Sequence, residues 1–120
     1  MQLNILGGQT FSVITIAQNG TAYTGSVPFQ YCNGYAICKF TVSGGSVSIS
    51  QQCSFDGQVW FDPVDNTNTA LAVIASSAGT TTGRYVQYNP VLCNYMRYKM
   101  VEINIGATTV GIAYAFGEGV

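Results

Sequence analysis

Apolar and polar residues alternate with a period of two over much of this chain. Cys38, Phe40 and Val42 alternate with Lys39 and Thr41, and Val47 and Ile49 with Ser46, Ser48 and Ser50. Val110, Ile112, Tyr114 and Phe116 alternate with Thr109, Gly111, Ala113 and Ala115. Each run has one apolar face and one small or hydroxylic face, as in an antiparallel sheet packed on one side. No stretch holds a helical period over three turns. The pattern predicts strands at Leu3–Leu6, Thr10–Ala17, Ser26–Cys32, Ala36–Val42, Ser46–Cys53, Val59–Phe61, Ala70–Ala75, Arg84–Tyr88, Leu92–Ile105 (broken near Met100) and Thr108–Phe116. Between them lie Gly7-Gly8, Gln18-Asn-Gly20, Asn33-Gly34, Ser43-Gly-Gly45, Asp56-Gly57 and Gly106, residues that supply positive φ or local side-chain hydrogen bonds and so interrupt strands.

Two departures from simple alternation are informative. In Phe11-Ser-Val-Ile-Thr-Ile16 both faces carry apolar groups, so this strand is either central or covered by something else, a neighbouring subunit or a loop of the same chain. Met96, Tyr98 and Met100 share one phase, with Arg97 and Lys99 on the solvent or neighbour face, whereas Val101, Ile103 and Ile105 take the other phase. That switch predicts a bulge or a corner where the chain passes between sheets. Turn signals every eight to twelve residues suit a sandwich or barrel. The expected fold is therefore an all-β antiparallel sandwich in one domain over residues 1–120, with the jelly roll as one form it could take.

Charge sharpens the picture. Only nine of 120 residues are charged (Lys39, Arg84, Arg97, Lys99, Asp56, Asp62, Asp65, Glu102, Glu118), and there is no histidine. The charged share of 8% is about a third of the usual one. A lone β domain uses charges, lysine above all, to keep its edge strands from pairing with copies of itself. A surface so poor in them points to a subunit covered by neighbours. A net charge of −1 with four scattered basic residues excludes electrostatic capture of nucleic acid. The longest apolar run, Ala70-Leu-Ala-Val-Ile-Ala75, is far short of the roughly 20 residues a membrane span requires. Met1-Gln-Leu-Asn-Ile-Leu-Gly-Gly has no basic region and no long apolar core, so the expectation is a protein kept in the cytosol until assembly.

The inventory of chemistry is thin. Without histidine there is no ordinary general base near neutral pH and no Ser-His or Cys-His pair. Asp62 with Asp65, or Asp56 with Glu102, could form a carboxylate pair of glycosidase type. Asp56 and Asp65, however, sit beside Gly57 and Asn66 in obvious turns, where Asp bonds its own backbone. The loop Asp62-Pro-Val-Asp65-Asn-Thr-Asn68 lacks the glycine and terminal glutamate of an EF-hand. Cys32, Cys38, Cys53 and Cys93 show no metal spacing and read as free thiols, although a five-residue loop from Asn33 to Ile37 would set Cys32 opposite Cys38. Asn19-Gly-Thr21 matches a glycosylation sequon but reads as a tight turn. Tyr88, Tyr95 and Tyr98 cluster with Arg97 and Lys99, and tyrosines at such places usually cover the core with the hydroxyl wet.

The second half has a characteristic order of parts: strand Ser46–Cys53, then Ser54-Phe-Asp56-Gly57-Gln-Val-Trp60, a polar loop, Arg84-Tyr-Val-Gln-Tyr88, a proline, Tyr95-Met-Arg97-Tyr-Lys99 and a final Thr/Val/Gly strand. Over about residues 46–116 this resembles small β-sandwich virion proteins of tailed bacteriophages, the head-decoration or other particle-surface subunits. It is also similar to discoidin-like (factor 5/8 C-type) carbohydrate- or lipid-binding domains, which are usually longer, secreted and begin with an extra segment. Neither likeness carries functional residues over; it implies that Asp56-Gly57 makes a turn and that Trp60 fills the core. The expectation is a non-enzymatic structural subunit of a bacteriophage virion, a capsid decoration or cement protein made in the host cytoplasm. Its partners would be the major capsid protein and copies of itself, for example in a trimer. No catalytic, cofactor-binding or metal-binding residue is assigned. The alternatives are a discoidin- or lectin-like carbohydrate-binding module using Trp60 or surface tyrosines, and a neck or tail subunit of the same particle.

Overall fold

A computed structural model describes residues 3–28, 35–71, 73–78, 84–91, 93–103 and 105–119. Among the described residues nine strands run in chain order: β1 (Leu3–Ile16), β2 (Thr21–Tyr23), β3 (Val27–Pro28), β4 (Tyr35–Val42), β5 (Ser46–Ser54), β6 (Val73–Ala78), β7 (Arg84–Tyr88), β8 (Tyr95–Glu102) and β9 (Thr108–Gly119). One sheet has the order β1-β9-β4-β7 and the other β2-β8-β5-β6, with β3 also paired to β8. Every pairing is antiparallel. Apart from β2–β3 and β5–β6, each step along the chain crosses to the other sheet. With β2 and β3 sharing one place beside β8, this is the eight-position order of a jelly roll.

The core lies between the sheets and follows the alternation. Val47 and Ile49 of β5, Met96, Tyr98 and Met100 of β8, and Val110, Ile112 and Tyr114 of β9 face inward and are buried with Ile16 and Val42. The Tyr98 and Tyr114 rings meet edge to face across the core, centroids 4.8 Å apart and planes at 73°, a geometry that adds about 0.5–1.5 kcal/mol to area burial. The core also holds a polar chain. The Tyr98 and Tyr88 hydroxyls are 2.9 Å apart, Tyr88 donates to Gln51 Oε1 at 3.1 Å, and Gln51 Nε2 donates to the Val91 carbonyl at 2.9 Å. Gln51, fully buried, thus has partners for both ends of its amide. The Tyr98 hydroxyl is bonded inside the protein rather than kept wet.

Several boundaries differ from expectation. Gly7-Gly8 does not end a strand: β1 runs through it, and the register against β9 shifts between Ile5 and Gly7 and again between Gln9 and Ser12. Bulges absorb the irregularity without breaking pairing. The strand expected at Val59–Phe61 shrinks to one bridge, Cys53 with Phe61. The chain does change sheets after β8, but β8 keeps one phase through Glu102, so Ile103 and Ile105 are exposed rather than packed inward. Phe11–Ile16 belongs to β1, an edge strand and not a central one. Asn33-Gly34 and Cys32 lie outside the described residues, as does the Cys38 side chain, and with them the expected choice between a two-residue and a five-residue turn.

Candidate functional site

Because Met96, Tyr98 and Met100 point into the core, Arg97 and Lys99 project from the opposite face of the second sheet. Register sets Gln52 opposite Arg97, and both Ser50 and Tyr23 opposite Lys99. The Arg97 guanidinium is held between two rings, 3.9 Å from the Tyr23 centroid and 4.3 Å from that of Trp60. Its Nε donates to Gln52 Oε1 at 2.8 Å, Gln52 Nε2 donates to Asp62 Oδ1 at 2.9 Å, and Lys99 Nζ lies 3.2 Å from Asp62 Oδ2. Trp60 is therefore not a core plug: it is half-buried on the outer face, stacked on a cation. Sequence reading joined Arg97 and Lys99 to Tyr88, Tyr95 and Tyr98. The structure instead gives Arg97 the pair Tyr23 and Trp60. Tyr23 belongs to a three-residue strand too short to show alternation, and a loop delivers Trp60 from outside the sheet.

That loop is built as the turn chemistry predicts. Asp56 Oδ1 accepts from the backbone N–H groups of Gln58 (2.8 Å) and Val59 (3.0 Å), Ser54 Oγ accepts from Gly57 N–H at 2.9 Å, and Gly57 takes φ +77°. Cys53 and Phe61 close the loop with reciprocal backbone bonds. Asp65 Oδ1 accepts from the N–H groups of Thr67 (2.8 Å) and Thr69 (3.0 Å). Neither carboxylate pair assembles. Asp62 and Asp65 turn to different partners, and Asp56 and Glu102 are kept apart by the length of β8: the Asp56-Gly57 turn lies beside Tyr95 at its start and Glu102 is its last residue, about 24 Å further on at about 3.4 Å per residue.

Glu102 has another role. Fully buried, its carboxylate accepts from Asn19 N–H and Ile105 N–H at Oε1 (both 3.0 Å) and from Ser46 N–H at Oε2 (3.0 Å). It ties together the three crossover turns at one end of the sandwich, and the Asn19-Gly20 sequon is one of them, folded as a turn with Asn19 at φ +58°. Burial pushes the Glu102 carboxyl up, but the backbone donors of Asn19, Ser46, Ile105 and Gly106 outweigh it and hold the group below the ordinary glutamate value. Asp56 is lowered by the Val59 and Gln58 amides. Asp65 is lowered by Thr67 and Thr69. Asp62 is lowered first by the Gln52 amide, then by Lys99 and Arg97, against its partial burial. A general acid near neutrality needs a raised value; these four are all lowered. No group of three His, Cys, Asp or Glu side chains among the described residues could hold a metal ion.

At the other end of the sandwich Phe55 (78% exposed), Val59, Phe61, Val64 and Leu71 present apolar side chains to solvent. Phe55, Phe61, Pro63, Val64 and Val91 line a cavity of about 330 Å³ whose wall includes Cys53 and Cys93. Cys53 and Cys93 are free thiols.

These features define an all-β jelly-roll sandwich with an aromatic-cation cluster on one outer face. No protein-family model matches the chain, and no curated protein sequence matches it significantly. Solved structures share the fold. PirA superposes with a TM-score of 0.56 at 14% identity, over 87% of this chain and 92% of that one. The CBM22-1 xylan-binding domain of Paenibacillus barcinonensis Xyn10C gives 0.52 at 9%, over 98% and 97%. CorA, a surface-associated copper-binding protein of Methylomicrobium album BG8, gives 0.53 at 12%, over 88% and 92%. At such identities the likeness is one of fold alone.

Proposed function

We propose that this chain is a non-enzymatic structural subunit of a virus particle, a decoration or cement protein that reinforces a bacteriophage shell through contacts with the capsid protein and with its own copies. One observation carries the reading: β1, at the edge of its sheet, runs for 14 residues without a single charged side chain or proline. A strand edge presents a row of backbone donors and acceptors, and solitary β proteins blunt it with lysine, proline or brevity. The opposite edge, β7, is only five residues long, and the β2–β3 edge is broken into short pieces with Pro28 in one of them. β1 has bulges as its only such device. Val13, in the segment apolar on both faces, is 61% exposed, so nothing in the described chain covers it. Many weak contacts repeated by symmetry add up to stable attachment.

Sedimentation velocity of the purified chain tests this. The wild type should form a discrete oligomer as concentration rises. Val13→Lys with Thr15→Lys, two exposed positions on one face of β1, should return it to a monomer with melting temperature unchanged within about 2 °C. A wild type that stays monomeric at high concentration would falsify the proposal.

A second reading, a carbohydrate-binding module, is favoured by the Tyr23–Arg97–Trp60 cluster on an outer sheet face and by the fold shared with a xylan-binding domain. Against it, Arg97 already occupies the ring faces that turn toward each other. Affinity electrophoresis in soluble xylan separates the two readings. The structural-subunit reading expects no retardation; retardation abolished by Trp60→Ala and by Tyr23→Ala would put the binding module first.

A further inference from the structure

The two cysteines at the apolar cavity are placed for chemistry that the assembly reading does not use. Cys53 ends the inward row of β5, opposite Met96, and Cys93 stands three residues before Met96 on the segment leading into β8. One buried amide serves both sulfurs: Gln51 Nε2 lies 3.5 Å from Cys53 Sγ and 3.7 Å from Cys93 Sγ, while also bonding the Val91 carbonyl. Cys93 Sγ also donates to the Val91 carbonyl at 3.6 Å, and both cysteines lie on the wall of the cavity. We propose that Cys53 and Cys93 form a thiol–disulfide exchange site, which a small neutral organic disulfide reaches through the apolar cavity and closes into an intramolecular disulfide.

Each step balances. The Cys53 thiol gives its proton to solvent, and the thiolate attacks one sulfur of the organic disulfide. The reagent's S–S bond breaks, and its first half leaves as a thiolate that takes up a proton. Cys93 then loses its proton and attacks the Cys53 sulfur of the mixed disulfide, releasing the second half as a thiol. The protein loses two hydrogens and the reagent gains them. The neighbouring Cys93 thiol, with the Gln51 amide, lowers the Cys53 thiol against its burial, which favours the thiolate that exchange requires. The Cys93 thiol is pushed up, first by the neighbouring Cys53 thiol, then by burial and by the Cys53 charge. Two of those three causes disappear once Cys53 is in a mixed disulfide, so the resolving thiol is freed by the first step.

The test uses the full chain, folded, with bis(hydroxyethyl) disulfide as probe, followed by alkylation and peptide mapping. The expected result is a Cys53 peptide joined to a Cys93 peptide. The melting temperature should rise by about 10 °C, since the bond closes a loop of about 40 residues. Cys93→Ala should stop at a stable hydroxyethyl adduct on Cys53, and Cys53→Ala should react at Cys93 at least about tenfold more slowly. The proposal is overturned if both thiols remain alkylatable after treatment that oxidises the urea-unfolded chain, if closure joins either to Cys32 or Cys38 instead, or if the Cys93→Ala chain gains no adduct. Should a variant fail to fold, the wild-type map and melting temperature still decide.

Discussion

A Gly45→Val chain should not reach a soluble native state, and Gly45→Ala should melt at least about 10 °C below wild type in a thermal scan. Gly45 sits in the β4–β5 turn with φ +62°, a conformation that costs an L side chain roughly 1–2 kcal/mol before any contact is counted. Contact makes it worse. A Cβ there would lie 2.5 Å from the Gly106 carbonyl oxygen and 2.9 Å from Glu102 Oε2. The first is backbone of the facing β8–β9 turn and cannot rotate away. The second is a carboxylate held by three turns. Displacing either pulls on the bonds that join these loops, Ser43 N–H to the Thr109 carbonyl (3.1 Å) and Ile103 N–H to the Ser46 carbonyl (2.8 Å). Gly44 is the internal control, because the nearest atom to a Cβ there is the Ala107 carbonyl oxygen at an ordinary 3.7 Å. Gly44→Ala should cost less than about 3 °C. Equal losses at the two positions would show that the close approach of the turns does not matter.

The sandwich itself was legible because alternation needs only neighbours in sequence. Val47, Ile49, Met96, Tyr98, Met100, Val110, Ile112 and Tyr114 all face the core as their phase requires. What alternation cannot show is which side of a turn a glycine pair falls on, so Gly7-Gly8 read as a stop where the chain makes a bulge. Nor can it weigh a strand of three residues, and Thr21–Tyr23 went unread. The jelly-roll order rests on contacts between strands far apart in the chain, β1 with β9 and β4 with β7 and β9, which local patterning does not encode.

The outer-face cluster was half legible. Phase put Arg97 and Lys99 outside, but the residues that hold them come from elsewhere: Tyr23, Gln52, Trp60 and Asp62. Trp60 misled because a lone tryptophan in a β domain is usually a core plug, and nothing local says that a loop lays it over a cation. Glu102 was legible only as a possible partner of Asp56 in a carboxylate pair of glycosidase type. Its part in the fold lies in the backbone N–H groups of three turns, which only the assembled fold brings to it.

Glu102→Gln should lower the melting temperature at neutral pH by about 10 °C and remove the steepest part of the protein's acid sensitivity. A glutamine has nearly the same shape, so the change isolates charge and acceptor capacity. The carboxylate offers acceptors on both sides, Oε1 to Asn19 and Ile105 and Oε2 to Ser46. Whichever way the amide is turned, its NH₂ group faces the Asn19 or the Ser46 N–H, donor against donor, in a buried site. The pH dependence follows from the direction of the shift. The Glu102 carboxyl is lowered in the folded protein, so the folded state favours the charged form more than the unfolded chain does. The stability it contributes is full above the ordinary glutamate value of about 4.3 and disappears as pH falls through the lower folded-state value. Asp56, Asp62 and Asp65 are lowered as well and titrate in the same acid region. The informative quantity is therefore the difference between wild type and variant. That difference should be large and flat from neutral pH down to about 5, then shrink toward zero as the wild-type carboxylate takes up its proton. A gap that stayed constant into strong acid would assign Glu102 a packing role and remove the charge from the account.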